Sequence, residues 1–125
     1  MIKKIINVDK LPVFGPYSTA VETDGLIFIS GQIPLNPATG KIIDEIKTAT
    51  RQVLTNIQSI LRGTGLEMTN VVKTTIFLTN MADFPAVNEI YAEFFPQEPP
   101  ARSTIEVSAL PKGALIEIEA LATRK

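Results

Sequence analysis

Apolar positions in this chain follow two rhythms, a step of two and a step of three to four, and the switches between them mark out the elements. Lys3 to Val8 predicts a short strand. Leu11-Pro12-Val13-Phe14-Gly15-Pro16 then forces an irregular segment, because proline supplies no N–H and restricts the residue before it. Tyr17 to Thr23 and Leu26 to Ser30, joined by Asp24-Gly25, predict a β-hairpin. Gly31-Gln32-Ile33-Pro34 reads as leaving the strand, and Asn36-Pro37-Ala38-Thr39-Gly40 as a turn cluster.

From Asp44 the period changes. Ile46, Ala49, Val53, Leu54, Ile57, Ile60 and Leu61 share one stripe, which predicts an amphipathic helix of about five turns with Gly63 and Gly65 as stop signals. Val71 to Thr79 is β-branched in its first half and apolar on both alternating faces, as a central strand is. A second helix follows, with Asp83 as N-cap, Pro85 in its first turn and Val87, Ile90, Tyr91, Phe94 and Phe95 as its buried stripe; Pro96 and Pro99-Pro100 end it. Ser103 to Val107 and Leu115 to Thr123 are two further strands around a turn at Pro111-Lys112-Gly113, giving the order β-β-β-α-β-α-β-β.

Nothing in this order marks a second domain, so residues 1–125 are expected to form one α+β unit. Two helices cover only one face of a sheet of about five or six strands. The other face carries apolar residues too: Leu26 and Phe28 alternate with Ile27 and Ile29, and Leu115 and Leu121 with Ile116 and Ile118. A monomer would expose a contiguous apolar patch, so a homo-oligomer with these faces packed together is expected.

Composition narrows the chemistry. The 125 residues include no Cys and no His, which removes a disulfide framework, a thiolate nucleophile, a Ser-His couple and an ordinary zinc site. Proton transfer must use carboxylates, Lys, Tyr, backbone groups or water. Twelve Lys and Arg against 13 Asp and Glu, with no basic run longer than Lys3-Lys4, disfavour nucleic acid and anionic membranes as partners. The opening apolar run breaks at Asn7 and Asp9, as a signal peptide would not, and no stretch approaches the ~20 apolar residues of a membrane helix. A cytoplasmic protein is the expectation.

Against that background, Arg102 stands out at the junction between Pro99-Pro100 and a strand. Proline limits its conformations, and a rigidly aimed guanidinium grips a carboxylate or phosphate through two parallel hydrogen bonds. The plain alternative is a surface arginine in a weak ion pair. Alternation in Ile116-Glu117-Ile118-Glu119-Ala120-Leu121-Ala122 places Glu117 and Glu119 on one face with leucines, where burial and mutual repulsion would raise at least one pKa; pairing with Lys or Arg, or exposure to water, is the alternative. Tyr17 would present its hydroxyl to a ligand or pack as a strand aromatic. Ser30-Gly31 would offer a hydroxyl and an approachable N–H or form an ordinary turn, and Asn88 would face solvent or brace a loop. Gly63-Thr64-Gly65 lacks the third glycine and preceding strand of a phosphate loop, and Asp44-Glu45 suits a helix start better than a metal.

Taken as blocks, these residues resemble a known family. Pro100-Ala101-Arg102-Ser103, Glu106-Val107, Leu110-Pro111-Lys112 and Ile116-Glu117-Ile118-Glu119-Ala120 are similar to the C-terminal signature of the Rid/YjgF family of enamine/imine deaminases. Gly15-Pro16-Tyr17, Ser30-Gly31-Gln32-Ile33-Pro34, Val72-Lys73-Thr74-Thr75 and Phe84-Pro85-Ala86-Val87-Asn88 resemble its upstream blocks in the same order, so the resemblance covers nearly the whole chain. It implies a chorismate-mutase-like α+β fold, with a mixed sheet of six strands or so, two helices on one face, and a homotrimer whose sheets form a central β-barrel with ligand sites in the clefts between subunits.

The resemblance also implies hydrolysis of reactive 2-enamino acids and their 2-imino tautomers, such as 2-aminoacrylate, to 2-keto acids and ammonia, with no cofactor. Arg102 would bind the substrate carboxylate and Glu117 the attacking water, both facing one small pocket. Tyr17, Ser30, Gly31 and Asn88 would line or support the cleft. Thr104 would contact substrate where many relatives carry Cys, which removes any thiol contribution, and the loop from Phe95 to Pro100 is shorter than in some relatives. The rival reading is a non-catalytic trimeric 2-keto acid-binding regulator of the same fold. A nuclease role, proposed for relatives, is opposed by the acidic balance and missing histidines.

Overall fold

The computed structural model describes residues 3–125; Met1 and Ile2, the start of the opening apolar run, lie outside them. In chain order the elements are β1 (Lys4–Ile6), β2 (Ala20–Thr23), β3 (Leu26–Gln32), β4 (Leu35–Asn36), β5 (Lys41–Ile42), α1 (Ile46–Gly63), β6 (Val71–Leu78), α2 (Phe84–Phe94), β7 (Ala101–Glu106) and β8 (Ile116–Thr123). Six strands form one mixed sheet in the order β1-β2-β3-β8-β6-β7. Among the described residues β6–β7 is the one parallel pairing, and α2 supplies the crossover that such a pairing needs. The fold class and the two-helix, six-strand arrangement are those the hydrophobic pattern predicts.

Period-two alternation puts Ile27 and Ile29 of β3, Ile76 and Leu78 of β6, and Ile116 and Ile118 of β8 on one face, all buried against Val53, Leu54, Ile57, Ile60 and Leu61 of α1. Glu45 caps α1, its carboxylate accepting from the Lys47 and Thr48 amides. Exposed pairs Lys47–Glu89 and Arg51–Glu93, each 2.7 Å, join α1 to α2. On the face away from the helices Phe28 and Ile105 remain 46% and 45% exposed, so the sheet does leave apolar side chains uncovered.

Three local expectations change, and the predicted turn cluster is present but flanked by two short strands. Strand β3 runs on through Gly31 to Gln32, where the chain was expected to leave the strand, with a register irregularity against β8 between Ile29 and Gln32. The Asn36–Gly40 turn cluster closes a small β4–β5 hairpin, held to α1 by buried Asn56, whose amide donates to the Leu35 carbonyl at 2.9 Å. Asp83 makes no capping hydrogen bond; Asn80 instead caps the short turn ahead of α2 by accepting from the Ala82 amide. Tyr17 lies outside the hairpin strands and is 46% exposed, so it does not pack as a strand aromatic.

Candidate functional site

The chemistry-bearing side chains form two groups. The first gathers at β8 and β3. Register places Glu117 opposite Phe77 and Glu119 opposite Thr75, on the face away from the helices. Across from them Gly31 leaves the space that Glu117 fills: a Cβ there would collide with the Glu117 carboxylate oxygen and stand 2.7 Å from its Cδ. The missing Cβ lets the Glu117 carboxyl lie close against the β3 backbone, which accounts for a glycine within a strand.

Glu117, Glu119, Gly31, Ser30 and Tyr17 line a cavity of about 440 Å³. The Ser30 hydroxyl donates to the Ser18 carbonyl at 2.6 Å, and the Tyr17 hydroxyl accepts from the Phe14 amide at 3.2 Å, so both brace the entering loop. Lys112, in a left-handed conformation, lies over the Phe14 ring at 4.7 Å. Burial first, and the neighbouring Glu119 charge second, hold the Glu117 carboxyl above the usual carboxylate range. That shift moves it toward the neutral conditions in which a carboxyl exchanges protons usefully.

The second group gathers at β7 and α2. Arg102 pairs with Thr74 across the parallel ladder and therefore shares its face, the one covered by helices. Its guanidinium lies over the Tyr91 ring at 4.9 Å and the Phe84 ring at 5.3 Å. Arg51, Arg62 and Arg124 each bond a glutamate, whereas no carboxylate among the described residues neutralises Arg102. The weak surface ion pair that was the alternative for Arg102 is absent there.

Asn88 lines the same cavity, about 350 Å³, with Tyr91 and Arg102. The Asn88 Oδ1 and Thr104 Oγ1 atoms are buried without a hydrogen-bond partner. Such orphans are uncommon in folded chains; one belongs to a residue lining the Arg102 cavity, and the other lies two residues along β7 from that arginine, on the same face.

Within one protomer, Tyr17, Ser30, Gly31 and Glu117 come together, as do Asn88 and Arg102, with Thr104 two residues along β7 on the Arg102 face and outside that cavity's lining; the two sets lie on opposite faces of the sheet and share no cavity. The expected pocket common to Arg102 and Glu117 does not exist inside a single chain. The physical reason is register parity: Arg102 pairs with Thr74 and Glu117 with Phe77, three positions along β6 and thus on the other side. Two residues were missed as parts of this region. Tyr91 reads only as helix core and Phe84 as a helix start, although their i, i+7 spacing puts them on one helical face. Among the described residues no cluster of Asp and Glu could hold a metal, and no helix is long and apolar enough to cross a membrane.

Comparison with known proteins finds relatives in both sequence and backbone. A RutC family protein of Pyrococcus horikoshii is 47% identical over 99% of this chain and 100% of its own. Reactive Intermediate Deaminase A, a chloroplastic protein of Arabidopsis thaliana, is 49% identical over 97% of this chain and 66% of its own. The crystal structure of the YjgF gene product of E. coli superposes with a TM-score of 0.92 at 41% identity, covering 98% of this chain and 99% of that one. Residues 8–124 match the family model described as Endoribonuclease L-PSP. In sequence and in backbone, along nearly its whole length, the chain belongs to the YjgF/Rid family.

Proposed function

We propose that this chain is a hydrolytic deaminase of 2-imino acids, 2-iminopropanoate and 2-iminobutanoate among them, and that it works as a homotrimer whose neighbouring subunits each supply half of the site. The observation that carries the reading is the pairing of an unneutralised Arg102, with the orphaned Asn88 Oδ1 in the lining of its cavity, and a Glu117 carboxyl of raised pKa over Gly31, on opposite faces of one sheet. Each half has the chemistry the other lacks. The uncovered Phe28 and Ile105 support contact between copies, and the name of the Arabidopsis relative supports the reaction class.

In the mechanism, Arg102 grips the substrate carboxylate with two N–H groups, and Asn88 and Thr104 meet the substrate's remaining polar edge. A protonated imine is already electrophilic, so positioning matters more than a strong nucleophile. Glu117 accepts a proton from water as its oxygen bonds to C2, giving a carbinolamine. The same carboxyl then protonates the amine, the C–N bond breaks with its electron pair leaving on nitrogen, and the hydroxyl returns its proton to Glu117, giving the keto acid and ammonia. Tyr17 and Ser30 hold the loop that walls the Glu117 side.

Complementation tests this directly. Arg102→Ala and Glu117→Ala variants are each expected to lose hydrolysis of 2-iminopropanoate generated in situ, while Glu117→Ala keeps 2-ketobutyrate binding. Co-expressed, they should recover activity at about a quarter of the sites, the chance that both neighbours supply their intact halves. No recovery in mixed assemblies, or sedimentation of the wild type as a monomer, overturns the shared site. Equal turnover by wild type and Glu117→Ala overturns the role given to Glu117, and 2-ketobutyrate binding with no acceleration of hydrolysis by the wild type favours the regulatory binder.

A further inference from the structure

We infer that Phe84 and Tyr91 form an aromatic clamp that positions Arg102, holding the guanidinium by its faces so that its N–H edge stays free for a carboxylate. The inference rests on the reading of Arg102 as the carboxylate anchor. Both ring centroids lie within cation–π range of the guanidinium carbon, at 5.3 and 4.9 Å. An acidic partner would fix the side chain equally well, but it would cancel the charge and occupy the fork of donors. Ring faces attract the cation through their quadrupoles and take none of the in-plane N–H groups. This protein gives its other three arginines glutamate partners and gives Arg102 rings instead.

The clamp is itself braced. Tyr91 is 6% exposed, its ring lies 4.7 Å from that of Phe95, and its hydroxyl shares a 2.6 Å hydrogen bond with buried Thr74. Thr74 is the residue that pairs with Arg102 across the β6–β7 ladder. One β6 position therefore sets both the backbone of the arginine and the ring beneath its side chain, closing a rigid triangle of strand, ring and guanidinium. A binding group supported in this way loses less freedom when its ligand arrives.

The test uses the full-length protein, with 2-ketobutyrate as the binding probe and in situ 2-iminopropanoate for kinetics. Tyr91→Leu and Phe84→Leu keep apolar volume but remove the ring, and each should raise the Kd for 2-ketobutyrate by about 3- to 30-fold. KM should rise in parallel with a smaller change in kcat, since the anchor acts on ground state and transition state alike. Tyr91→Phe keeps the ring and should hold affinity within about twofold of wild type. If Tyr91 served only through its bond to Thr74, Tyr91→Phe would be as damaging as Tyr91→Leu, and the clamp would be refuted. Should Tyr91→Leu fail to fold, Phe84→Leu and the wild-type NMR spectrum decide. Over ring faces the Arg102 Nε–H, assigned through Arg102→Lys, resonates upfield of the other arginines; a position among them refutes the clamp. Unchanged binding by the leucine variants, with binding lost in Arg102→Ala, sinks the clamp alone. Unchanged binding by Arg102→Ala sinks the anchor reading beneath it.

Discussion

Gly31→Ala adds a single methyl group, yet the structure assigns it a defined victim. The backbone of Gly31 lies outside the left-handed region, so alanine is conformationally acceptable. Its Cβ would stand 2.7 Å from Cδ and 3.0 Å from Cγ of Glu117, well inside ordinary contact, and would overlap the carboxylate oxygen. The flexible end of Glu117 can swing aside, so the protein should lose less than the ~1–3 kcal/mol of a true core overpacking. The carboxyl, however, must move by about 1 Å or more, and a displacement of that size at a reacting group costs about 100-fold in rate. The expected result is kcat/KM for 2-iminopropanoate down by about two orders of magnitude with the melting temperature nearly unchanged. A double variant decides the cause: Gly31→Ala on top of Glu117→Ala should cost almost nothing more, because the two changes act through one group. An equal additional loss in that background would refute the reasoning, as would wild-type turnover by Gly31→Ala.

Four further outcomes follow from the structure. Because the folded state holds the Glu117 proton more tightly than the unfolded chain does, its contribution lowers stability as pH rises from the ordinary value of 4.5 through the raised one. Glu117→Gln should therefore melt higher than wild type at neutral pH, with the gap closing below that window. Glu119→Gln removes the repelling charge and should move the acidic limb of the kcat/KM profile to lower pH. Tyr91→Phe leaves the buried Thr74 hydroxyl without its partner and should cost about 1–3 kcal/mol in denaturant melts, most of it regained by adding Thr74→Val. Phe28→Glu places a charge on the uncovered sheet face and should give a folded monomer, by sedimentation, without deaminase activity.

Much of the fold was legible because burial enforces periodicity. Val53, Leu54, Ile57, Ile60 and Leu61 announce α1 by spacing alone, and alternation in β8 separates Ile116 and Ile118 from Glu117 and Glu119 before any coordinates are seen. The misread places obey other rules. Gly31 looked like a strand end because glycine usually punctuates, whereas here it makes room for a side chain from β8, and nothing local to position 31 announces position 117. The β4–β5 hairpin has strands of two residues, too short to show any period. Arg102 and Glu117 were recognisable as candidates, one by proline stiffening and the other by alternation and by family blocks. Their placement on opposite faces was not, because it depends on how β7 and β8 each register against β6.

That parity has an outcome for how catalysis scales. In the proposed assembly no rearrangement of a solitary copy brings guanidinium and carboxyl together, since the sheet itself stands between them. Turnover per mole of chain should then track the association equilibrium, fading on dilution and returning on concentration, so that protein abundance acts as a throttle with no allosteric ligand required.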